Sequence, residues 1–282
     1  MRLGYLGPEG TFSEEAARSA LHSDDALLVG LPTVRDTVLA VQDGRVDRAV
    51  VPIENSLEGP VGVTLDTLAG DESDVAIVGE LVLTVSHYLV ARSELALDAV
   101  QRVLSHPQAT SQCARFLREQ LPNAEVMAAT STAEAARIVA ASAAPWAALS
   151  TLRAAELYGA TVLAEAVADE PDNTTRFVWL ARDGAPPDDS LPTKTSLAFW
   201  GAGDDVPGWL VRCLSEFAFR GVNLTKIESR PLRGPLGHYR FFVDCEGSAH
   251  GGAVAEAIEG LRKHAEDVKI LGTYASGAGR SG

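Results

Sequence analysis

The sequence predicts an α/β protein of two domains, and three observations carry that prediction. Up to residue 182, short β-branched runs alternate with helical patterns, as in the strand 48–53 followed by the helix 61–68, and the strand 103–105 followed by the helix 108–121. Strand-then-helix repetition of this kind builds a largely parallel sheet. The segment 183–195, DGAPPDDSLPTKT, is rich in Pro and Asp, lacks apolar periodicity and marks a domain boundary. Beyond it the order is strand 196–200, helix 207–220, strand 222–229, strand 239–245, helix 253–264 and strand 268–274. That βαββαβ order is the ferredoxin-like plan.

Among these elements the helix 207–220 has the clearest local signals. Pro207 suits a first helical turn, Leu210, Val211, Leu214, Phe217 and Ala218 recur at helical spacing, and Gly221 supplies a C-terminal stop. The tail 275–282, ASGAGRSG, is small and polar and is expected to be disordered.

Composition narrows the function. Of 282 residues, 46% are hydrophobic and 22% charged, a mixture that buries a real core. The net charge of −14 argues against nucleic acid, since the 24 Lys and Arg form no basic run. The same sign repels an anionic substrate at long range, so an anion site must come from local donors such as helix N-termini or a placed Arg. Cys113, Cys213 and Cys245 lie far apart with no CxxC pair, which fits a reducing compartment. The N-terminus has no apolar signal core, and the most apolar stretch, 75–91, is interrupted by Glu80, Ser86 and His87. A soluble, unexported protein that does not span a membrane is the expectation. GxGxxG, P-loop, HExxH and GxSxG patterns are missing, so nothing calls for a nicotinamide, nucleotide or metal cofactor.

Four strand-to-helix junctions place small polar residues where a helix is expected to begin: GPEGTFSEE, IENSLEGPV, LSHPQATSQ and ALSTLRAAE. Free N–H groups and the helix dipole act together at such starts to bind anions, although capping residues also begin ordinary helices. Thr11 belongs to the first junction, Glu54, Asn55 and Ser56 to the second, and Ser105, His106 and Gln108 to the third. His106 precedes Pro107 and is biased to extended backbone, from which its imidazole either reaches a crevice or packs structurally. Gln108 and Gln112 lie one helical turn apart, which suits a solvated face equally well. The stretch DNTTRF, 172–177, leads into an apolar strand. Regular alternation there aims Asn173, Thr175 and Phe177 to one side, and Thr174 and Arg176 to the other. Arg176 reads either as a carboxylate clamp or as a member of a structural ion pair.

GPEGTFSEEAA, VPIENSLEGPV, SHPQATSQC, AELYG and DNTTRF stand in the order and approximate spacing seen in prephenate dehydratases, and GVNLTKIESRP resembles the signature of their regulatory ACT domain. The resemblance covers nearly the whole chain. It implies a catalytic domain over 1–183 of two lobes, like a type II periplasmic binding protein, crossed near 78–90 and 164–173. A linker 184–195, an ACT domain 196–274 and the tail 275–282 follow. It further implies Thr175 as the essential residue, substrate contacts from Thr11, Asn55, Ser56, Ser105, Gln108, Asn173 and Arg176, and Glu54 and His106 as proton-relay candidates. The reaction implied is conversion of prephenate to phenylpyruvate with loss of CO2 and water, by a monofunctional cytoplasmic lyase. L-phenylalanine is the implied effector, bound at a subunit interface of a homodimer or homotetramer by Gly208, Trp209, Leu210, Asn223, Leu224, Glu228, Ser229 and Arg230. Trp209 departs from the family pattern, which has a small residue there, and Thr110 replaces a commoner aliphatic residue. The alternatives are an arogenate dehydratase, acting on the amino analogue, and a non-catalytic small-acid sensor.

Overall fold

A computed structural model describes residues 1–19, 26–70, 73–182, 191–201, 206–232 and 237–277. Along the chain run β1 (Arg2–Leu6), α1 (Phe12–Ser19), β2 (Leu27–Leu31), α2 (Val34–Gln42), β3 (Arg48–Asn55), β4 (Gly59–Pro60), α3 (Gly62–Leu68), β5 (Ala76–Thr84) and β6 (Tyr88–Ala91). Then come β7 (Arg102–Ser105), α4 (Pro107–Gln112), α5 (Ala114–Gln120), β8 (Glu125–Ala128), α6 (Thr132–Ala141), β9 (Trp146–Ser150), α7 (Leu152–Tyr158), β10 (Thr161–Ala164) and β11 (Thr174–Ala181). The C-terminal part holds β12 (Thr193–Trp200), α8 (Trp209–Ala218), β13 (Leu224–Pro231), β14 (Tyr239–Glu246), α9 (Gly252–Leu261) and β15 (Asp267–Ala275).

The chain divides into two compact units. One comprises residues 1–33, 55–58 and 83–175, and the other residues 34–54, 59–82 and 176–282. In the first, β1 and β2 pair in parallel, and a five-stranded sheet has the order β10-β6-β9-β7-β8. Its β7 runs parallel to β8 and β9, while β6 is antiparallel to β9. Apolar clusters fill both faces of this sheet, one around Leu89, Val103, Cys113 and Leu149, the other around Val90, Leu104, Ala136 and Ala148. Burial on both faces is why these strands read as continuous apolar runs.

In the second unit β3, β11 and β5 lie side by side, and a four-stranded antiparallel sheet has the order β13-β14-β12-β15. With α8 and α9 this sheet is the ferredoxin-like fold expected. Leu197, Phe199, Val243 and Cys245 face a core closed by Trp209, Cys213 and Phe217 of α8 and Ala257, Ile258 and Leu261 of α9. The opposite face meets β5 so closely that a Cβ on Gly272 of β15 would collide with the Ile77 carbonyl.

The structure moves several expected boundaries. The helix predicted over 108–121 is two, α4 and α5, broken at Cys113. β12 starts at Thr193, inside the expected linker, whose residues 184–190 lie outside the described part. Ala275 still belongs to β15, and Ser276 donates its N–H to the Pro192 carbonyl at 2.8 Å, so the expected tail is bonded through these residues; 278–282 lie outside the described part.

Candidate functional site

In the first unit a chain of side-chain amides ends on Thr175. Asn55 closes β3, and its Oδ1 accepts the N–H groups of Leu57 and Glu58, each at 3.0 Å. This Asx-type turn takes the place of the helix start expected at IENSLEGPV; the helix begins only at Gly62. The other end of the amide, Nδ2, donates to Asn173 Oδ1 at 2.7 Å and to Thr175 Oγ1 at 2.9 Å, with the Thr174 carbonyl at 3.1 Å. Asn173 Nδ2 donates to Gln112 Oε1 at 3.2 Å, and His87 Nε2 lies 3.0 Å from the same oxygen. Gln112 Nε2 donates to Glu58 at 3.4 Å. Ser56 holds the neighbouring backbone, its N–H donating to the Thr174 carbonyl and its Oγ accepting the Thr174 N–H, both at 2.9 Å.

Asn173 is fully buried and Asn55 nearly so, and both are satisfied by this network, as buried amides must be. Its chemical consequence is local to Thr175. The Oγ1 accepts from Asn55, so the hydroxyl proton is available to donate elsewhere.

Two helix starts adjoin one another in the same unit. Thr11 caps α1, its Oγ1 accepting the Glu14 N–H and its one proton shared between the Leu6 and Pro8 carbonyls. Thr151 caps α7, accepting the Ala154 N–H at 2.9 Å and donating to the Gly10 carbonyl at 2.6 Å. Gly10 is required twice over: its φ is +82°, and a Cβ would sit 2.9 Å from that of Ala154. Phe12, first residue of α1, meets the His87 ring edge to face at 5.6 Å.

Other expected site residues are placed differently. Ser105 is fully buried and donates to the Leu149 carbonyl at 2.9 Å, tying β7 to β9. His106 caps α4 by accepting the Gln108 N–H at 3.3 Å, and with Pro107, Ala128, Ala129, Thr130, Glu134 and Ile138 it lines a pocket of 570 Å³.

Arg176 and Glu54 belong to the second unit. Arg176 Nε lies 2.7 Å from Glu80, Nη1 lies 2.5 Å from Asp244 and 3.5 Å from Glu54, and Nη2 donates to Tyr274 Oη at 2.8 Å. Glu54 also takes Lys226 at 3.2 Å, and Glu80 takes Lys194 at 2.8 Å. The guanidinium is thus held by carboxylates, the structural ion pair that sequence left as one of two readings. The physical reason is the pleat. Thr175 and Arg176, like Asn55 and Glu54, are consecutive in a strand and face opposite ways.

Among the residues expected at an effector site, Gly208, Trp209 and Leu210 line a pocket of 250 Å³ with Val206, Val211, Gly237, Tyr239 and Phe241. The Trp209 indole is 4% exposed, packs on Phe199 and Phe241 and donates to the His264 carbonyl, so the large ring belongs to the core. Asn223, Leu224, Glu228, Ser229 and Arg230 lie on or just before β13 and do not line this pocket; Arg230 makes a two-point pair with Asp66 at 2.7 and 2.8 Å.

The sequence does not single out His87, and it leaves Gln112 open between a site and a solvated face, whereas the fold brings both to the Asn173 amide network. The apolar run around His87 hid the first. For Gln112 the available signal was its place at the end of the SHPQATSQC motif, where α4 stops.

Fold and site together define a class: a two-sheet α/β portion carrying an amide-bound hydroxyl, followed by a ferredoxin-like domain with an apolar pocket. The family model for prephenate dehydratase matches residues 3–185, and the chain belongs to that family. A prephenate dehydratase of Mycobacteroides abscessus is 44% identical, over 98% of this chain and 90% of its own length. The structure of prephenate dehydratase from Arthrobacter aurescens in complex with L-Phe matches with a TM-score of 0.90 at 38% identity, covering 99% of this chain and 91% of that one. GqqA, described as a novel type of quorum quenching acylase, matches with a TM-score of 0.86 at 31% identity, covering 98% of each chain. No helix among the described residues is long and apolar enough to cross a membrane.

Proposed function

We propose that the protein is a cytoplasmic lyase that converts prephenate to phenylpyruvate, with Thr175 as the hydrogen-bond donor to the departing hydroxyl. The observation that carries the reading is the Asn55–Thr175 hydrogen bond within a prephenate dehydratase fold: it occupies the oxygen of Thr175 and leaves its proton for the substrate. Loss of the ring carboxylate and the C4 hydroxyl makes the ring aromatic, which drives the reaction. The protein has to hold two carboxylates and stabilise the leaving oxygen. With Arg176 and Glu54 engaged in ion pairs, we assign the carboxylates to the Ser56 hydroxyl, the Gln108 side-chain amide and the N–H groups at the start of α1 beside Thr11. Asn55 and Asn173 orient Thr175, and His106 is the remaining relay candidate. Ser105 holds two strands together.

The effector proposed is L-phenylalanine, in the pocket beside Gly208 and Leu210. Val211, which lines this pocket, and Phe219 and Ile227 of the same domain are exposed apolar side chains, and they support association into a homodimer or homotetramer through this domain. The test is to add prephenate and follow phenylpyruvate absorbance in alkali, with and without L-phenylalanine, with arogenate as competitor. Thr175→Ala is expected to lower kcat roughly 100- to 1000-fold, the scale for losing one oxyanion-type donor. A folded Thr175→Ala protein with unchanged kcat would remove the assignment.

A further inference from the structure

His87 is 2% exposed, and its tautomer can be deduced from the backbone up. A backbone N–H only donates, so the end of the Asn55 amide that meets the Leu57 and Glu58 N–H groups is the oxygen, and the end facing Asn173 and Thr175 is Nδ2. The atom of Asn173 that receives Nδ2 is therefore its oxygen, which turns its own Nδ2 toward Gln112. The Gln112 atom that accepts there is again an oxygen, and an oxygen of this kind cannot donate to a ring nitrogen. His87 must then carry its proton on Nε2. Its Nδ1 is buried without a hydrogen-bond partner.

We propose that His87 is a positioning residue for Thr175: its Nε2–H fixes the Gln112 amide, and through Asn173 and Asn55 it keeps the Thr175 oxygen an acceptor and the Thr175 proton turned to substrate. The Leu57 and Glu58 N–H groups fix Asn55, and each later amide is fixed by the one before it, so reversing any of the three sets donor against donor. His87 is the far end of the chain, and the turn at Asn55 is the near end. Two backbone bonds hold the elements concerned: Val167 N–H donates to the His87 carbonyl at 2.9 Å, and Asp169 N–H donates to the Gln112 carbonyl at 2.7 Å. Burial keeps the imidazole below the ordinary histidine range against the opposing Gln112 hydrogen bond, so the ring is neutral at neutral pH.

The inference rests on the reading of Thr175 as donor, and the experiment separates the two. His87→Phe, His87→Gln and Thr175→Ala are assayed with prephenate beside the parent protein, with melting temperatures recorded. His87→Phe, which keeps bulk and loses the donor, is expected to lower kcat roughly 10- to 100-fold with KM nearly unchanged, the scale for a misplaced reacting group. His87→Gln restores an N–H donor and is expected to recover most of the rate, although both variants lose the imidazole packing. Equal kcat losses in the two, tracking their melting temperatures, would mean a structural role and overturn the proposal. A large loss in Thr175→Ala with none in His87→Phe sinks this inference alone, whereas no loss in Thr175→Ala sinks the donor reading. Should His87→Phe not fold, nitrogen-15 NMR of histidine-labelled parent protein decides the tautomer: protonation at Nε2 is expected, and protonation at Nδ1 would overturn the relay.

Discussion

The hydroxyl of Thr175 is an unremarkable alcohol, and what distinguishes it is which of its lone pairs and protons are already committed. Asn55 commits the oxygen. Replacing Asn55 by Asp keeps the shape and keeps an oxygen for the Leu57 and Glu58 N–H groups, but it turns the donor facing Thr175 into an acceptor. The Thr175 proton then points at the new carboxylate and away from substrate. Asn55→Asp is expected to lower kcat by roughly 100-fold, close to the cost of removing an oxyanion-type donor, in a protein that still binds prephenate. Steady-state kinetics check it: a normal kcat in the Asp variant would mean that the hydroxyl's orientation is not set by Asn55.

At the scale of elements, the sequence motifs named residues that the fold brings together, but not the contacts that each of them makes. DNTTRF and VPIENSLEGP come together as β11 and the end of β3, where Asn173, just before the strand, and Thr175 both receive the Asn55 amide. Strand alternation set Arg176 and Glu54 on the opposite faces, where β12, β14 and β15 supply Lys194, Asp244 and Tyr274. No local pattern announces partners that distant in sequence. The turn at Asn55 was illegible for a different reason: Asn serves as well in an Asx turn as at a helix cap, and only the hydrogen-bonded partners decide between them. The ion cluster on that far face has its own test. Burial opposes ionisation of Glu80, but Arg176, Lys194 and the Gly277 N–H together hold its carboxyl below the ordinary value. A carboxylate lowered in the folded state contributes stability that is complete above its unfolded value, about 4.3, and is lost as pH falls through the lower folded value. Glu80→Gln is expected to cost about 3–5 kcal/mol at pH 7, because it leaves Arg176 and Lys194 underpaired. The variant is also expected to lose less further stability than the parent on acidification below about pH 4.3. Melting temperatures from pH 7 to 3.5 read both effects, and parallel curves would assign the parent's acid sensitivity to other groups.

Across the whole molecule, the ferredoxin-like sheet uses its two faces differently. One is apolar and closed by α8 and α9; the other presents Asp244, Tyr274, Lys194 and Lys226 to β3, β5 and β11. Ser196 donates its one proton to Asp244 at 2.6 Å, so the 2.6 Å contact between Ser196 and Tyr274 must use the tyrosine proton, and the Tyr274 oxygen is left to accept from Arg176. The three contacts are thereby consistent with one proton assignment, and the cation they help to hold, Arg176, is covalently next to Thr175. One strand leads from the proposed effector pocket to Arg176: β14 lines the pocket through Tyr239 and Phe241, and it carries Asp244, the partner of Arg176. Asp244→Asn keeps the shape and weakens the pull on Arg176 without touching Thr175 or the pocket. In the parent, saturating L-phenylalanine is expected to change kcat/KM by about 5- to 150-fold, the usual range of allosteric coupling. In Asp244→Asn that ratio is expected to fall toward one, while calorimetry still registers phenylalanine binding. Full coupling in the variant would move the signal to another route, whereas a parent indifferent to phenylalanine would remove the effector itself.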